Sequence, residues 1–227
     1  MQIGILQCGH FVEHDGVPYR DYTQLYADLL DGHGFTFCGW DVVDMEFPDN
    51  IRSADGWLIS GSKHGAYDDL PFIPPLEDFI RDAYVERVPL VGICFGHQIM
   101  AQALGGKAEK FDGGWAVGHT DYNFGETSLA LNAWHQDQVV IPPTEAKTVA
   151  SNAFCQHAAL AYKGRAYSIQ PHPEFDRTEL ETLLELRAPG VVPDEKIETA
   201  RAHLADSNDN KKMADRIATF LKGNAHG

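Results

Sequence analysis

The stretch VPLVGICFGHQIMAQALGG, residues 88–106, constrains the fold more than any other. An apolar run of strand length, Val88 to Ile93, stops at Cys94, which lies between Gly92 and Gly96. Ile99, Met100, Ala103 and Leu104 then recur at helical spacing. A buried strand thus turns into a helix within a few residues. The same alternation runs through the first half of the chain. QIGILQ (2–7), FTFCGWDV (35–42), GWLISG (56–61) and PLVGIC (89–94) read as strands. YTQLYADLLDG (22–32) and LEDFIRDAYVE (76–86) read as helices, with SKHGAYDDLPFIPP as the loop before the second. Mostly apolar strands alternating with helices imply a parallel sheet covered on both faces.

Residues 107–170 change character. KAEKF, WAVGHTDY, SLALNAW, QVVI, KTVASN, AALAYKG and RAYSIQ read as short strands, which implies a β-rich insertion or an antiparallel extension of the sheet. DRTELETLLELR is helical, 188–196 reads as a connector, and two amphipathic helices close the chain. Neither a repeat nor a low-complexity linker divides the 227 residues. The expectation is an α/β fold in one domain, 1–227, with about 188–227 as a helical C-terminal extension.

Charge excludes some functions. With 33 acidic and 18 basic side chains the formal net charge is −15, the wrong sign for a chain that neutralises nucleic-acid phosphates. No apolar stretch reaches the roughly 18 residues of a membrane span. MQIGILQCGH has neither the basic region nor the cleavage site of a signal peptide, so a cytoplasmic location is expected. The four cysteines form no CxxC pair, which argues against a zinc knuckle or a dithiol redox site. Cys8, Cys38 and Cys155 read as small core hydrophobes. Cys94 alone has an unusual context.

G-x-C-x-G at a strand-to-helix turn is the thiol version of a nucleophile elbow. The helix that follows aims its N-terminus at the sulfur, which favours thiolate, and its first amide, that of Phe95, can serve an oxyanion. A cysteine nucleophile needs a base. Among 11 histidines, SIQPHPEF (168–175) stands out. The residue before a proline is pushed towards extended backbone, where positions two apart share a face. His172, followed by Pro173, therefore has Glu174 beside it to orient the imidazole, making Cys94–His172–Glu174 a plausible triad. His135 and Asp137 of WHQDQV form a rival pair with the same spacing, without a stiffening proline. His97 sits on the first turn after Cys94 and should face away from it. The remaining histidines, His14 and His226 among them, read as surface or hydrogen-bonded.

GICFGHQIMAQALGG together with QPHPEF resembles the class I glutamine amidotransferases, the triad glutaminase family, over about residues 40–185. The resemblance implies a flavodoxin-like three-layer α/β fold with a mostly parallel central sheet. It implies Cys94 as nucleophile, His172 as general base and acid, and Glu174 as orienter. Gly61 and Ser62 of ISGSKHGAYDD match the loop that joins Phe95 in the oxyanion hole. Gln98 matches a substrate contact, and Gly114 and Trp115 of FDGGWAVG match a stretch that runs along the substrate. The His-x-Asp of WHQDQV matches a family motif near the pocket. The implied chemistry is attack of Cys94 on the γ-carboxamide of glutamine or of another γ-glutamyl compound, through a γ-glutamyl thioester, with no metal or cofactor.

Full amidotransferases send ammonia to a second site. This chain lacks a G-x-x-x-x-G-K-[ST] phosphate loop and the room for a synthetase. Either a separate synthetase subunit receives the ammonia or none is transferred. ISGSKHGAYDD departs from the SGGP-type loop of GMP synthase glutaminases and looks more like the stand-alone branch that includes plant γ-glutamyl peptidases. That favours a free-standing γ-glutamyl amide hydrolase. A redox-sensing relative, with Cys94 oxidised rather than acylated, is the remaining alternative, although a sensor needs neither the histidine nor its carboxylate.

Overall fold

Trp57, Leu58 and Ile59, and Leu90, Val91 and Ile93, have no exposed face, so the strands that carry them must be covered twice. The computed structural model shows how. It describes residues 1–14, 17–18, 20–164 and 166–223, with no side-chain description at 13, 14, 17 and 18. The readings of the His14 side chain, of His226 and of Arg165 at the head of RAYSIQ therefore lie outside the described residues.

The elements run β1 (Gln2–Leu6), β2 (Glu13–His14), β3 (Val17–Pro18), α1 (Tyr22–Leu29), β4 (Thr36–Trp40), β5 (Gly56–Ile59), α2 (Ile73–Val85), β6 (Leu90–Ile93) and α3 (Phe95–Ala103). There follow β7 (Lys107–Lys110), β8 (Ala116–Asn123), β9 (Ser128–His135), β10 (Asp137–Ile141), β11 (Lys147–Ala150), β12 (Ala159–Tyr162) and β13 (Ala166–Ile169). The chain closes with α4 (Arg177–Leu186), α5 (Asp194–Ala202) and α6 (Asn210–Leu221). None of these helices is long and apolar enough to cross a membrane.

The central sheet has seven strands in the order β11-β12-β13-β6-β5-β1-β4. The pairs from β13 to β4 are parallel, while β12 and β11 extend the sheet antiparallel. Period-two alternation sorts the side chains. Ile3, Ile5, Leu58, Val91 and Ile93 face a core closed by α1 and α6, with Leu25, Tyr26, Met213 and Ile217. Leu6, Trp57, Ile59 and Leu90 face the opposite core, closed by α2 and α3 with Leu76, Ile80, Ile99 and Met100. This is the flavodoxin-like three-layer arrangement. Burying each such aliphatic side chain contributes roughly 1.5–3 kcal/mol.

Two details differ from the sequence expectation. Helix α2 begins at Ile73, not at 76, because Pro74 and Pro75 occupy its first turn, where no intrahelical N–H bond is lost. Cys38 lies only half-buried, because β4 is the sheet edge. The closing helices pack onto the body of the domain. Met213, Ile217 and Leu221 of α6 belong to the main core, and Ala200 of α5 packs with Leu180 and Leu184 of α4 beside Trp115, Val117 and Trp134 of the β8–β9 region.

Candidate active site

The elbow is built by close backbone approach. Cys94 caps α3 with φ 54° and ψ −105°, a left-handed φ at a residue with a side chain. Such a conformation costs on the order of 1–3 kcal/mol and persists only where its surroundings enforce it. Here the Cys94 amide donates to the Ile169 carbonyl at 2.9 Å, and the Gly96 amide to the Ser60 carbonyl at 3.0 Å. A Cβ on Gly92 would stand 2.4 Å from the Gly96 carbonyl oxygen, and one on Gly96 would stand 2.2 Å from that of Ile59. Gly92 is thus required by the close approach of α3 to the end of β6, and Gly96 by the crossing of the turn over β5. Cys94 is 6% exposed and lines an open cavity of about 410 Å³.

His172 leaves the end of β13 in extended backbone, and its amide donates to the Asn132 carbonyl at 2.9 Å. Its Nδ1 lies 2.7 Å from Glu174 Oε1, so the carboxylate holds the proton on Nδ1 and leaves Nε2 as the basic nitrogen. The Tyr26 hydroxyl donates to the same Oε1 at 3.0 Å. Phe175 stacks on the imidazole, with ring centroids 4.1 Å apart and planes 4° from parallel. The ring is thereby fixed in both position and tilt. Burial opposes charge on His172, but the Glu174 carboxylate, followed by Cys94, outweighs it and raises the imidazole pKa above its ordinary value. Cys94 is near enough for its charge to favour the imidazolium. In the resting geometry its sulfur is turned to the Trp134 carbonyl, 4.0 Å away, and His172 Nε2 has no aligned partner among the described residues.

The rival pair is not assembled as a dyad. His135 Nδ1 lies 3.2 Å from the backbone carbonyl of Asp137, whereas the Asp137 carboxylate accepts from the Tyr67 hydroxyl at 3.0 Å. Burial, then the charge of His172, pushes the His135 pKa down to about 3, so it is a neutral side chain on the cavity wall. His97 turns away from the thiol, with its Nδ1 2.7 Å from the Ser168 hydroxyl in the core. Burial holds the Cys8 thiol far above its usual range and that of Cys155 up to about 12, so neither is a nucleophile at neutral pH.

The other expected residues divide. Ser62, Gln98 and Trp115 line the cavity with Cys94. Gln98 Nε2 donates to the Asp137 carbonyl at 2.9 Å, which ties α3 to the far wall. Phe95 is the first residue of α3, so its amide has no acceptor within the helix. The Gly61 amide donates to the Tyr26 hydroxyl at 3.4 Å and is turned towards α1. Gly114 sits in a turn at φ 85°, its amide bonded to the Phe111 carbonyl, and is not part of the cavity wall. Tyr22, Tyr26, Phe175 and Arg187 were not singled out in the sequence. The two tyrosines stand one helical turn apart and look like ordinary core positions there. Among the described residues no group of three or more His, Cys, Asp or Glu side chains is disposed to hold a metal ion.

The sequence profile of the family "Glutamine amidotransferase class-I" matches residues 23–187. The chain belongs to this family. This amidotransferase-family chain is 31% identical over 223 residues to gamma-glutamyl peptidase 4 of Arabidopsis thaliana, covering 90% of this chain and 88% of the relative. It is 31% identical over 181 residues to the glutamine-hydrolysing GMP synthase of Aeromonas hydrophila, covering 69% of this chain but only 33% of that longer protein. A crystal structure of a glutamine amidotransferase from Methylobacillus flagellatus superposes with a TM-score of 0.73 at 23% identity, covering 97% of this chain and 94% of the other. That likeness establishes the shared fold.

Proposed function

We propose that this amide hydrolase of the glutamine amidotransferase type cleaves γ-glutamyl amide bonds by itself, through a γ-glutamyl thioester on Cys94. The observation that carries the reading is the Glu174-oriented, Phe175-stacked His172 beside the elbow thiol. His172 Nε2 takes the thiol proton, and the sulfur attacks the γ-carbonyl carbon. The tetrahedral oxyanion receives the Phe95 amide and the Ser62 amide. We assign the second donor to Ser62 because the Gly61 amide is engaged by Tyr26. Donors of this kind contribute a few kcal/mol each, about 2.7–4. The C–N bond then breaks, and the His172 imidazolium gives its proton to the departing amine. Water enters, loses a proton to His172 and opens the thioester, releasing the γ-carboxylate and restoring the thiol.

The free-standing reading is supported by gamma-glutamyl peptidase 4, which this chain matches along nearly its whole length. The similarity to GMP synthase supports a second reading, a glutaminase subunit that feeds ammonia to a separate synthetase. A thiolate nucleophile also fits a reducing, cytoplasmic setting. The test is to incubate the purified chain alone with glutamine and with γ-glutamyl dipeptides, and to measure released glutamate. Turnover of dipeptides by the lone chain is expected. Turnover of glutamine only, and only when a synthetase is added, refutes the free-standing reading.

A further inference from the structure

The cavity over Cys94 has two chemically different ends. One is polar: Gln98 is tied to the Asp137 carbonyl, Asp137 holds Tyr67, and Ser62, Asp68 and Lys110 complete the wall. It carries charges of both signs, as the α-amino and α-carboxylate groups of a glutamyl unit require. The other end runs to Phe175, which covers His172. Phe175 stacks on its imidazole, Phe11 meets Phe175 at 5.3 Å and Tyr22 at 5.9 Å between ring centroids, and Leu183 and the exposed Val191 carry the wall to the rim. The Tyr22 hydroxyl reaches the face of Gly61 that His172 also approaches. This is the side on which the proton donor for the departing amine stands.

A guanidinium lies against this apolar end. Arg187, half-buried, donates through Nη2 to the Phe11 carbonyl at 3.0 Å. Its charge reaches the buried Tyr22 phenol. In a chain with 33 acidic side chains, Arg20, Arg52 and Arg81 each hold a carboxylate, whereas Arg187 forms no ion pair among the described residues. A guanidinium has five N–H donors in a fork that fits a carboxylate, and its single bond to Phe11 leaves most of them unused.

Free glutamine releases ammonia, which touches none of these side chains. We propose that the substrate is a γ-glutamyl peptide whose leaving amino acid carries an aromatic or large apolar side chain, seated on Phe11, Tyr22, Phe175 and Leu183, and a free carboxylate bound by Arg187. The inference rests on the γ-amide hydrolysis proposed above and names the leaving group for that same site.

The test compares kcat/KM for γ-glutamylphenylalanine, γ-glutamylglycine, γ-glutamylphenethylamide and glutamine. Phenethylamide keeps the ring and lacks the carboxylate. The phenylalanine dipeptide should exceed the glycine dipeptide by about tenfold or more, the scale of filling a hydrophobic pocket. It should exceed the phenethylamide by roughly tenfold, as one charge-assisted contact implies. In Arg187→Met the second ratio should collapse towards one, and Arg187→Lys should restore part of it. Because the readout is a ratio on one protein sample, partial misfolding of the variant does not mimic it. Equal values for the glycine and phenylalanine dipeptides, or a ratio untouched by Arg187→Met, overturn the leaving-group assignment alone. No turnover of any of the four compounds overturns the γ-amide hydrolysis itself, and this inference with it.

Discussion

Glu174→Gln separates charge from orientation in the buried dyad. Glutamine keeps the shape and an oxygen that can accept from His172 Nδ1, now 2.7 Å from the carboxylate, and from the Tyr26 hydroxyl. What it removes is the negative charge. Two unit charges about 4 Å apart in a medium of effective dielectric about 20 attract by about 4 kcal/mol. At 1.36 kcal/mol per tenfold, that corresponds to nearly three powers of ten in the population of imidazolium. The sign is fixed by the direction of the shift. Glu174 raises the His172 pKa, so its contribution to stability is fully present below the unfolded value of about 6.5 and is lost as pH rises through the raised folded value. With glutamine in place, burial is opposed only by Cys94, and the imidazolium is lost at lower pH. The expected outcome is a kcat/KM on γ-glutamyl dipeptides lowered by roughly 10²–10³. The alkaline limb of kcat/KM, which reports loss of the His172 imidazolium, should shift to lower pH as well. An enzyme with unchanged kcat/KM and an unmoved alkaline limb would refute the claim that Glu174 acts through its charge.

Other expectations concern strain and support. Cys94→Ala should abolish turnover without stabilising the protein, since alanine keeps a Cβ at φ 54°, whereas Cys94→Gly should abolish turnover and gain about 1 kcal/mol or more in urea denaturation. Equal stability of the two variants would mean that the elbow stores no backbone strain. Tyr26→Phe removes a buried hydrogen bond to a carboxylate and the acceptor for the Gly61 amide. It should cost about 1.5–3 kcal/mol of stability and lower kcat more than it raises KM. A variant as stable and as fast as the parent would show that the tyrosine is only packing.

Local spacing made the elbow and the dyad readable. Gly92, Cys94 and Gly96 lie within five residues, and the clashes that forbid a Cβ at either glycine arise where that short turn crosses its neighbours. His172 and Glu174 stand two apart on an extended segment, so backbone geometry alone brings them to one side. The strand–helix alternation of residues 2–106 likewise foretold the parallel sheet, because a strand buried on both faces shows as an uninterrupted apolar run. The β-rich stretch was legible as strands but not as partners. Nothing in WHQDQV tells that β11 and β12 extend the main sheet while β7 pairs with β10 and β8 with β9.

The sequence by itself determined which groups are placed for the proposed chemistry: a thiol on a strained turn, and an imidazole with its carboxylate. These are properties of neighbours along the chain, and covalent geometry carries them. Only the tertiary structure decided what surrounds that chemistry. Asp137 turns to Tyr67 instead of His135, Tyr26 of α1 supports a carboxylate 148 residues away, and α6 joins the main core. Arg187 comes to rest against Phe11 across 176 residues. Such contacts depend on how helices settle on the sheet, where many side chains of similar polarity compete for the same partners, and no short-range pattern in the chain records which of them wins.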